Sequence, residues 1–301
     1  MKKILVVGAS GFVGKNLAQQ LLADGYTVRC LARNPSKVQD LATAGCEIVQ
    51  GDISDIASIQ NAVKYVDAVY ISINTLSAQP ANKTAKNFMD IELNGLQNIV
   101  TACQTHSISR VIFVTFIGAA PDASNELARD RWKAEQLLLK SGLDVTVMRP
   151  GMIVGVGGQG YNSVVANAKR RLAFILGSGK QRFHCIAVTD LAYYLVGVLN
   201  EPRAFGQCYD VGGDELLTIT EMIDIVAEAL GRNHPRKFHI PLLMLKAISS
   251  PIERLMKLPK GAMKAIVDGM RTELIGDSAP IRKILPRPLL SFRQASEKVL
   301  L

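Results

Sequence analysis

The sequence predicts an α/β protein, a doubly wound parallel sheet with a smaller C-terminal cap or substrate region. Three observations predict it. Short apolar runs alternate with segments of helical spacing through the first 150 residues. The first run passes straight into a glycine loop that opens a helix. After Pro150 the alternation loosens, and glycine-rich and apolar-basic segments follow.

The elements follow in order. Residues 3–7 form an apolar run of the kind buried in parallel sheets. Residues 12–23 space their apolar side chains as a helix does. Strands are expected at 27–32, 47–49, 67–73, 110–116 and 143–148, with helices around 56–64, 83–105 and 125–140. Right-handed crossovers make such a sheet doubly wound. Residues 151–160 read as a loop, and 188–199 as a helix with Asp190 as its cap. Residues 218–230 read as a helix with Thr218 as N-cap, Glu221 three residues on and Gly231 at its end. Residues 241–256 and 261–271 read as apolar-basic helices. The expected division is a nucleotide-binding unit at 1–152 and a discontinuous region at 153–301, some segments of which return to the first unit.

Composition narrows the class. Of 301 residues, 48% are hydrophobic, enough for a sizeable core and against general disorder. Cys30, Cys46, Cys103, Cys185 and Cys208 are scattered without a C-x-x-C pair, so no disulfide framework and no metal site are expected. The first apolar run is too short for a signal peptide, and no stretch is long enough for a spanning helix, which points to the cytoplasm. The net charge of +9 is uneven. Residues 232–301 hold 14 basic and 5 acidic residues and so carry all of it.

The glycine loop is Gly8-Ala9-Ser10-Gly11-Phe12-Val13-Gly14, in a strand–loop–helix setting. Its glycines suit a tight turn, close approach of backbone to a pyrophosphate, and helix–strand packing. The helix start offers N–H donors and partial positive charge to phosphates. Dinucleotide binding is therefore expected, with Gly8, Ser10, Gly11, Phe12, Val13 and Gly14 at the cofactor. The second strand ends without the acid that would bond an NAD ribose. Arg33 can grip a 2′-phosphate bidentately and Lys37 adds a point charge, so NADP(H) is expected over NAD(H).

These features resemble the atypical or extended short-chain dehydrogenase/reductases, especially the NmrA-like branch. The chain is also similar to the NADPH-binding accessory subunit of respiratory complex I. Besides the loop, the likeness rests on residues 31–37, Gly51-Asp52-Ile53, Glu92 with Gly95 and Asn98, and Ser141-Gly142-Leu143. Arg149-Pro150-Gly151, Val188-Thr189-Asp190 and Gly212-Gly213 complete it. The resemblance implies that Asp52 and Ile53 contact the adenine, that Ser72 and Ile73 line the cofactor, and that Pro150 and Gly151 meet the nicotinamide end.

Reductases and epimerases of that family use a Tyr and a Lys four residues apart, on one helix face. The cation lowers the Tyr pKa, and a Ser or Thr on the preceding strand holds the substrate oxygen. Aligned on Glu135-Gln136 and Ser141-Gly142-Leu143, this sequence has Leu127 at the Tyr position and Arg131 at the Lys position. A register shifted by two offers Arg129 and Lys133, again without Tyr. Thr115 alone could serve as the strand hydroxyl, with Phe116 in the second place, and Glu92 stands where many members have Asn. Thr115 and Arg131 are the catalytic candidates. Arg131 could orient a ribose or hold an anionic oxygen but is a poor acid. His184 and Tyr161 are further candidates, each weighed against a packing role, and Tyr193 and Tyr194 read as packing residues.

The apolar-basic stretch from Ile240 through Lys246, Arg254, Lys257, Lys260 and Lys264 suits an anionic membrane surface, an acidic partner, the lid of a pocket or a plain solvated cap helix. Nothing indicates nucleic-acid recognition. The expected function is an NADPH-dependent oxidoreductase acting on a small apolar acceptor (quinone, enone or carbonyl) without the Tyr–Lys dyad. The alternative is a non-catalytic NADP(H)-binding redox sensor or accessory factor. A sugar-nucleotide epimerase is disfavoured by the absent dyad.

Overall fold

The computed structural model describes residues 2–73, 88–247, 253, 267–269 and 271–300. Among them, seven strands form the central sheet in the order β10-β6-β5-β4-β1-β2-β3. These are β1 (Lys3–Val7), β2 (Thr27–Ala32), β3 (Glu47–Gln50), β4 (Ala68–Ile71), β5 (Arg110–Val114), β6 (Asp144–Pro150) and β10 (Gln207–Val211). Every neighbouring pair is parallel. The chain leaves β1 toward β2 on one side and returns to β4 on the other. That reversal opens a crevice at the carboxyl ends of β1 and β4, where such sheets bind ligands.

Helices cover both faces, which is why the inner strands β1, β4 and β5 are near-continuous apolar runs rather than alternating. α1 (Phe12–Ala23) and α7 (Val188–Gly197) lie on one face, burying Leu17, Leu21, Leu191 and Leu195 with Ile4, Val6 and Tyr70. The other face is covered by α3 (Ile56–Val63), α4 (Phe88–Thr105) and α5 (Glu126–Leu139), through Ile59, Leu96, Ile99 and Leu138. The short α2 (Gln39–Thr43) links β2 to β3. Buried polar groups stitch the first face together. Tyr70 Oη donates to the Leu195 carbonyl at 2.8 Å. Arg110 donates to the Val198 and Leu199 carbonyls at 2.6 and 2.9 Å, and burial lowers its pKa to about 10.

Residues 151–160, expected to be a loop, contain β7 (Met152–Val154) and the start of α6 (Gln159–Ala168). The glycines there hide the short strand, because its partner β9 (Arg182–Ala187) lies far along the chain. β8 (Leu172–Leu176), β11 (Leu216–Thr218), α8 (Ile219–Ala229), β12 (Arg236–Ile240), α9 (Leu242–Ala247), α10 (Ala279–Ile284) and α11 (Phe292–Leu300) follow. A third core gathers Tyr161, Val164, Ile175, Ile223, Val226 and Phe292. α8 begins with the expected capping box of Thr218 and Glu221.

Asp190 is not a cap. Ala187 holds that place, and the buried Asp190 carboxylate accepts from Arg287 Nε at 3.0 Å and Leu290 N at 2.9 Å. It anchors the C-terminal strap, a job invisible locally because both donors lie about a hundred residues away. Tyr193 stacks under Arg287, 4.4 Å from the ring centre, and Tyr194 is fully buried. Most of the segments 241–256 and 261–271, with Arg254, Lys257, Lys260 and Lys264, lies outside the described residues, as do the side chain of Lys246 and residues 83–87. Among the described residues, no helix is long and apolar enough to cross a membrane.

Candidate cofactor and active site

The phosphate loop is built by close packing. A Cβ on Gly8, whose φ is +91°, would lie 2.1 Å from the Ser72 carbonyl oxygen, so β1 and β4 can approach here only through glycine. A Cβ on Gly14 would meet the Gly8 carbonyl oxygen at 2.3 Å. Gly14 therefore packs the first turn of α1 against the loop rather than lining the cleft. Gly11 is the N-cap of α1, which has no side-chain cap and no acid in its first turn. Its leading N–H groups and dipole are left for an anion, which fits a pyrophosphate.

A cleft of about 1140 Å³ runs from this loop along the carboxyl ends of the strands. It exceeds the usual volume of a single drug-sized site and has room for a dinucleotide and a second small molecule. Gly8, Ser10, Gly11, Phe12, Val13, Arg33, Lys37, Asp52, Ile53, Ser72, Ile73, Pro150 and Gly151 all line it. Asn34 positions the basic pair. Its Oδ1 accepts from Ser36 N at 3.0 Å and caps the short turn Pro35–Val38, which brings Lys37 to the same wall as Arg33. The Asp52 carboxylate accepts from Ser54 N and Oγ at 2.9 and 2.8 Å, and Asn98 Nδ2 holds the Ile53 carbonyl at 2.9 Å. The turn at Asp52–Ser54 is thus fixed by the chain's own bonds.

At the other end the cleft is lined by Thr115, Phe116, Leu127 and Arg131, together with Ile91, Met152 and Leu274. Leu127 and Arg131 both reach it. The shifted register points elsewhere: Arg129 donates to the Ala123 carbonyl at 2.6 Å, and Lys133 is exposed beside Asp130. Arg131, 4% exposed, is ion-paired with the fully buried Glu92. Its Nη1 is engaged by Glu92 inside the protein, and its buried Nε has no hydrogen-bond partner.

Thr115 Oγ1 donates to Glu135 Oε1 at 2.7 Å. Glu135 is fully buried and held by the Nε and Nη2 of Arg149, Nε at 3.0 Å. Burial works against the charge on Arg149, but the Glu135 bond and charge outweigh it and raise its pKa. Burial also raises the Asp210 carboxyl, an effect Arg149 opposes. One helix face therefore presents Arg131 and, one turn on, Glu135, each neutralised by a partner on another element.

His184 and Tyr161 lie off the cleft. His184 Nδ1 accepts from Gly276 N at 3.1 Å, and burial, followed by the Arg282 charge, lowers its pKa. Tyr161 is 1% exposed and edge-on to Phe292 at 6.2 Å in the third core, and burial raises its pKa. Sequence reasoning did not single out Ile91, Met152 or Leu274. Leu274 arrives through an isolated pairing with Phe183, and His184 N donates to its carbonyl at 2.9 Å. Among the described residues, no cluster of His, Cys, Asp or Glu could hold a metal ion.

A doubly wound sheet with an uncapped, glycine-lined helix start at its switch point defines a dinucleotide-binding Rossmann protein. The chain belongs to the NAD(P)H-binding family, whose model matches residues 8–202. It is 26% identical to the (4-alkanoyl-5-oxo-2,5-dihydrofuran-3-yl)methyl phosphate reductase of Streptomyces griseus, over 97% of this chain and 96% of that one. It is 24% identical to the NAD(P)H azoreductase of Xenophilus azovorans, over 76% and 74%. It is 25% identical to subunit 9 of the NADH dehydrogenase [ubiquinone] 1 alpha subcomplex of Arabidopsis thaliana, over 82% of this chain but 60% of that subunit. The fold matches that of an NADPH-dependent quinone oxidoreductase from Escherichia coli with a TM-score of 0.74 at 18% identity, over 99% of this chain and all of that one. The resemblance to the atypical short-chain dehydrogenase/reductases, read from the motifs, holds.

Proposed function

We propose that this chain is an NADPH-dependent reductase of a small, uncharged, apolar acceptor such as a quinone, enone or carbonyl compound, working without a tyrosine proton donor. One observation carries the reading. A single cleft joins the phosphate loop, Arg33 and Lys37 to an apolar wall of Phe116, Leu127, Met152 and Leu274.

The absence of an acid at the end of β2, with Arg33 and Lys37 at that wall, supports NADPH over NADH. Gly8, Gly11 and the start of α1 would hold the pyrophosphate, and Pro150 and Gly151 would border the nicotinamide end. A bound nicotinamide supplies a hydride. The chain's own part is to orient and to exclude water. Phe116 and Leu127 offer an acceptor a dry surface. Arg131 stays charged and tied to Glu92, so it steadies the site rather than giving a proton. The proton then comes from solvent, which suits acceptors whose reduced form takes it up after the electrons. The relatives named as reductases support this reading.

A second reading, a non-catalytic NADP(H)-binding accessory or sensor protein, draws on the same Leu127 and the same engaged Arg131, and on the likeness to the complex I subunit. The test is nicotinamide absorbance after NADPH-loaded protein meets a pool of quinones, enones, aldehydes and flavins. Oxidation above the protein-free control, lost in Gly11→Asp, is the expected result. No oxidation with NADPH demonstrably bound would move the assignment to the accessory reading.

A further inference from the structure

β8 and β12 form a two-stranded parallel ribbon with Phe174 opposite Phe238 and Leu172 opposite Arg236. Side chains alternate across it. Ala173 and Ile175 point into the third core, while Leu172, Phe174, Arg236 and Phe238 point away from it. That outer face is bare: Phe174 is 41% and Phe238 54% exposed, and their rings meet edge-on at 6.1 Å. α9 leaves the same end of the ribbon and adds Leu243 and Met244, 75% and 62% exposed. Scattered single apolar residues on a surface need no explanation, but two exposed rings in contact on one ribbon face, with exposed Leu243 and Met244 five and six residues after Phe238, do.

The charge carried by the two strands and their flanking segments has one sign. No Asp or Glu occurs from residue 145 to 189 or from 229 to 252, so both strands and their flanks are purely basic. Arg170, Arg171, Lys180 and Arg236 are all exposed, and Arg170 sits over the Phe174 ring at 5.9 Å. None of the four appears in an ion pair among the described residues, whereas Lys237, on the inner side, is paired with Asp224 at 2.6 Å.

From these observations we infer that the outer face of the β8–β12 ribbon, with the start of α9, docks on an anionic lipid surface. The apolar tips enter the headgroup boundary and the arginines meet the lipid phosphates. A lipid suits the patch better than a nucleic acid does. Leu172, Leu243 and Met244 have no stacking face, and interfacial insertion uses aliphatic tips as readily as aromatic ones. The assignment is independent of the reductase reading and rests on other residues.

The test is co-sedimentation of the full chain with vesicles of phosphatidylcholine containing phosphatidylglycerol, against pure phosphatidylcholine. Binding to the anionic vesicles alone is expected. It should fall by roughly an order of magnitude or more in Arg170→Glu/Arg236→Glu, since each basic residue at a membrane contributes about a fivefold factor. Phe174→Ser/Phe238→Ser should weaken it as well, with thermal midpoint and NADPH binding retained in both. Lys283→Glu/Lys298→Glu, which changes the charge equally on other exposed residues, should leave binding nearly intact. No sedimentation with anionic vesicles at low salt would overturn the assignment. So would equal loss in the Lys283/Lys298 control, which would mean undirected charge attraction. A dimer that the Phe174/Phe238 variant dissociates, or an oligonucleotide that binds this face in place of vesicles, would overturn it too.

Discussion

Thr115 gives its only hydroxyl proton to Glu135, at 2.7 Å. In its ion pair with Arg149, Glu135 is a carboxylate with no hydrogen to return. Thr115 can therefore accept from a ligand but cannot donate to one without leaving Glu135. This separates the site from reductases in which the strand hydroxyl holds a carbonyl oxygen.

The bond can be weighed. Thr115→Val should cost about 1–2 kcal/mol, because it leaves one acceptor position of a buried carboxylate unmet. Thr115→Ser should cost much less. Urea unfolding of the two variants checks this. A loss in Thr115→Ser as large as or larger than that in Thr115→Val would show that the hydroxyl does not carry the difference.

Glu92 and Arg131 make a sharper case, because both are buried. Arg131→Met removes the cation paired with the buried Glu92 carboxylate and should destabilise the protein by about 3–5 kcal/mol. Adding Glu92→Leu should recover most of that loss. A double variant no better than the single one would mean that Glu92 is satisfied without Arg131.

Arg33→Asp should weaken NADPH binding by about 10- to 100-fold, the worth of a charge-assisted phosphate contact. NADH binding should change little. Calorimetric titration with both nucleotides reads the difference, and a parallel loss in the two would remove Arg33 from the 2′-phosphate.

His184 sets a pH dependence of stability. Its pKa in the fold lies below 6.5, chiefly through burial, and its Nδ1 accepts from Gly276. Between the folded value and about 6.5 the unfolded chain binds more protons. Stability from this group is therefore fully present above about 6.5 and is lost as pH falls through that window. His184→Asn, whose amide oxygen can take the place of Nδ1, should flatten this part of the urea midpoint against pH. An unchanged slope would put the titration on other groups.

Much of the cofactor end was legible because its logic is local. A glycine loop between an apolar run and a helix, and a strand end without acid, are sentences written in consecutive residues. The placing of Leu127 and Arg131 at one cleft wall was legible too, since four residues make about one helical turn. What was not legible depends on distance along the chain. Leu274 is carried to the cleft by Phe183, and Asp190 is claimed by Arg287 and Leu290. β7 hides among glycines until β9 pairs with it. Thr115, read as the strand hydroxyl that could serve the substrate, has a partner on another element, α5.

Arg110 has a wider consequence. Its guanidinium takes the Val198 and Leu199 carbonyls, and β10 closes the sheet edge beside β6. A ribosome that has made only the first 150 residues has made a sheet with one face covered by α1 but not α7, an arginine that holds Asp144 and Thr146 but lacks its Val198 and Leu199 acceptors, and an open edge. The nascent chain must wait for its own later segments before the early ones can settle. Unfolding should accordingly run as one cooperative event, not peel away half by half.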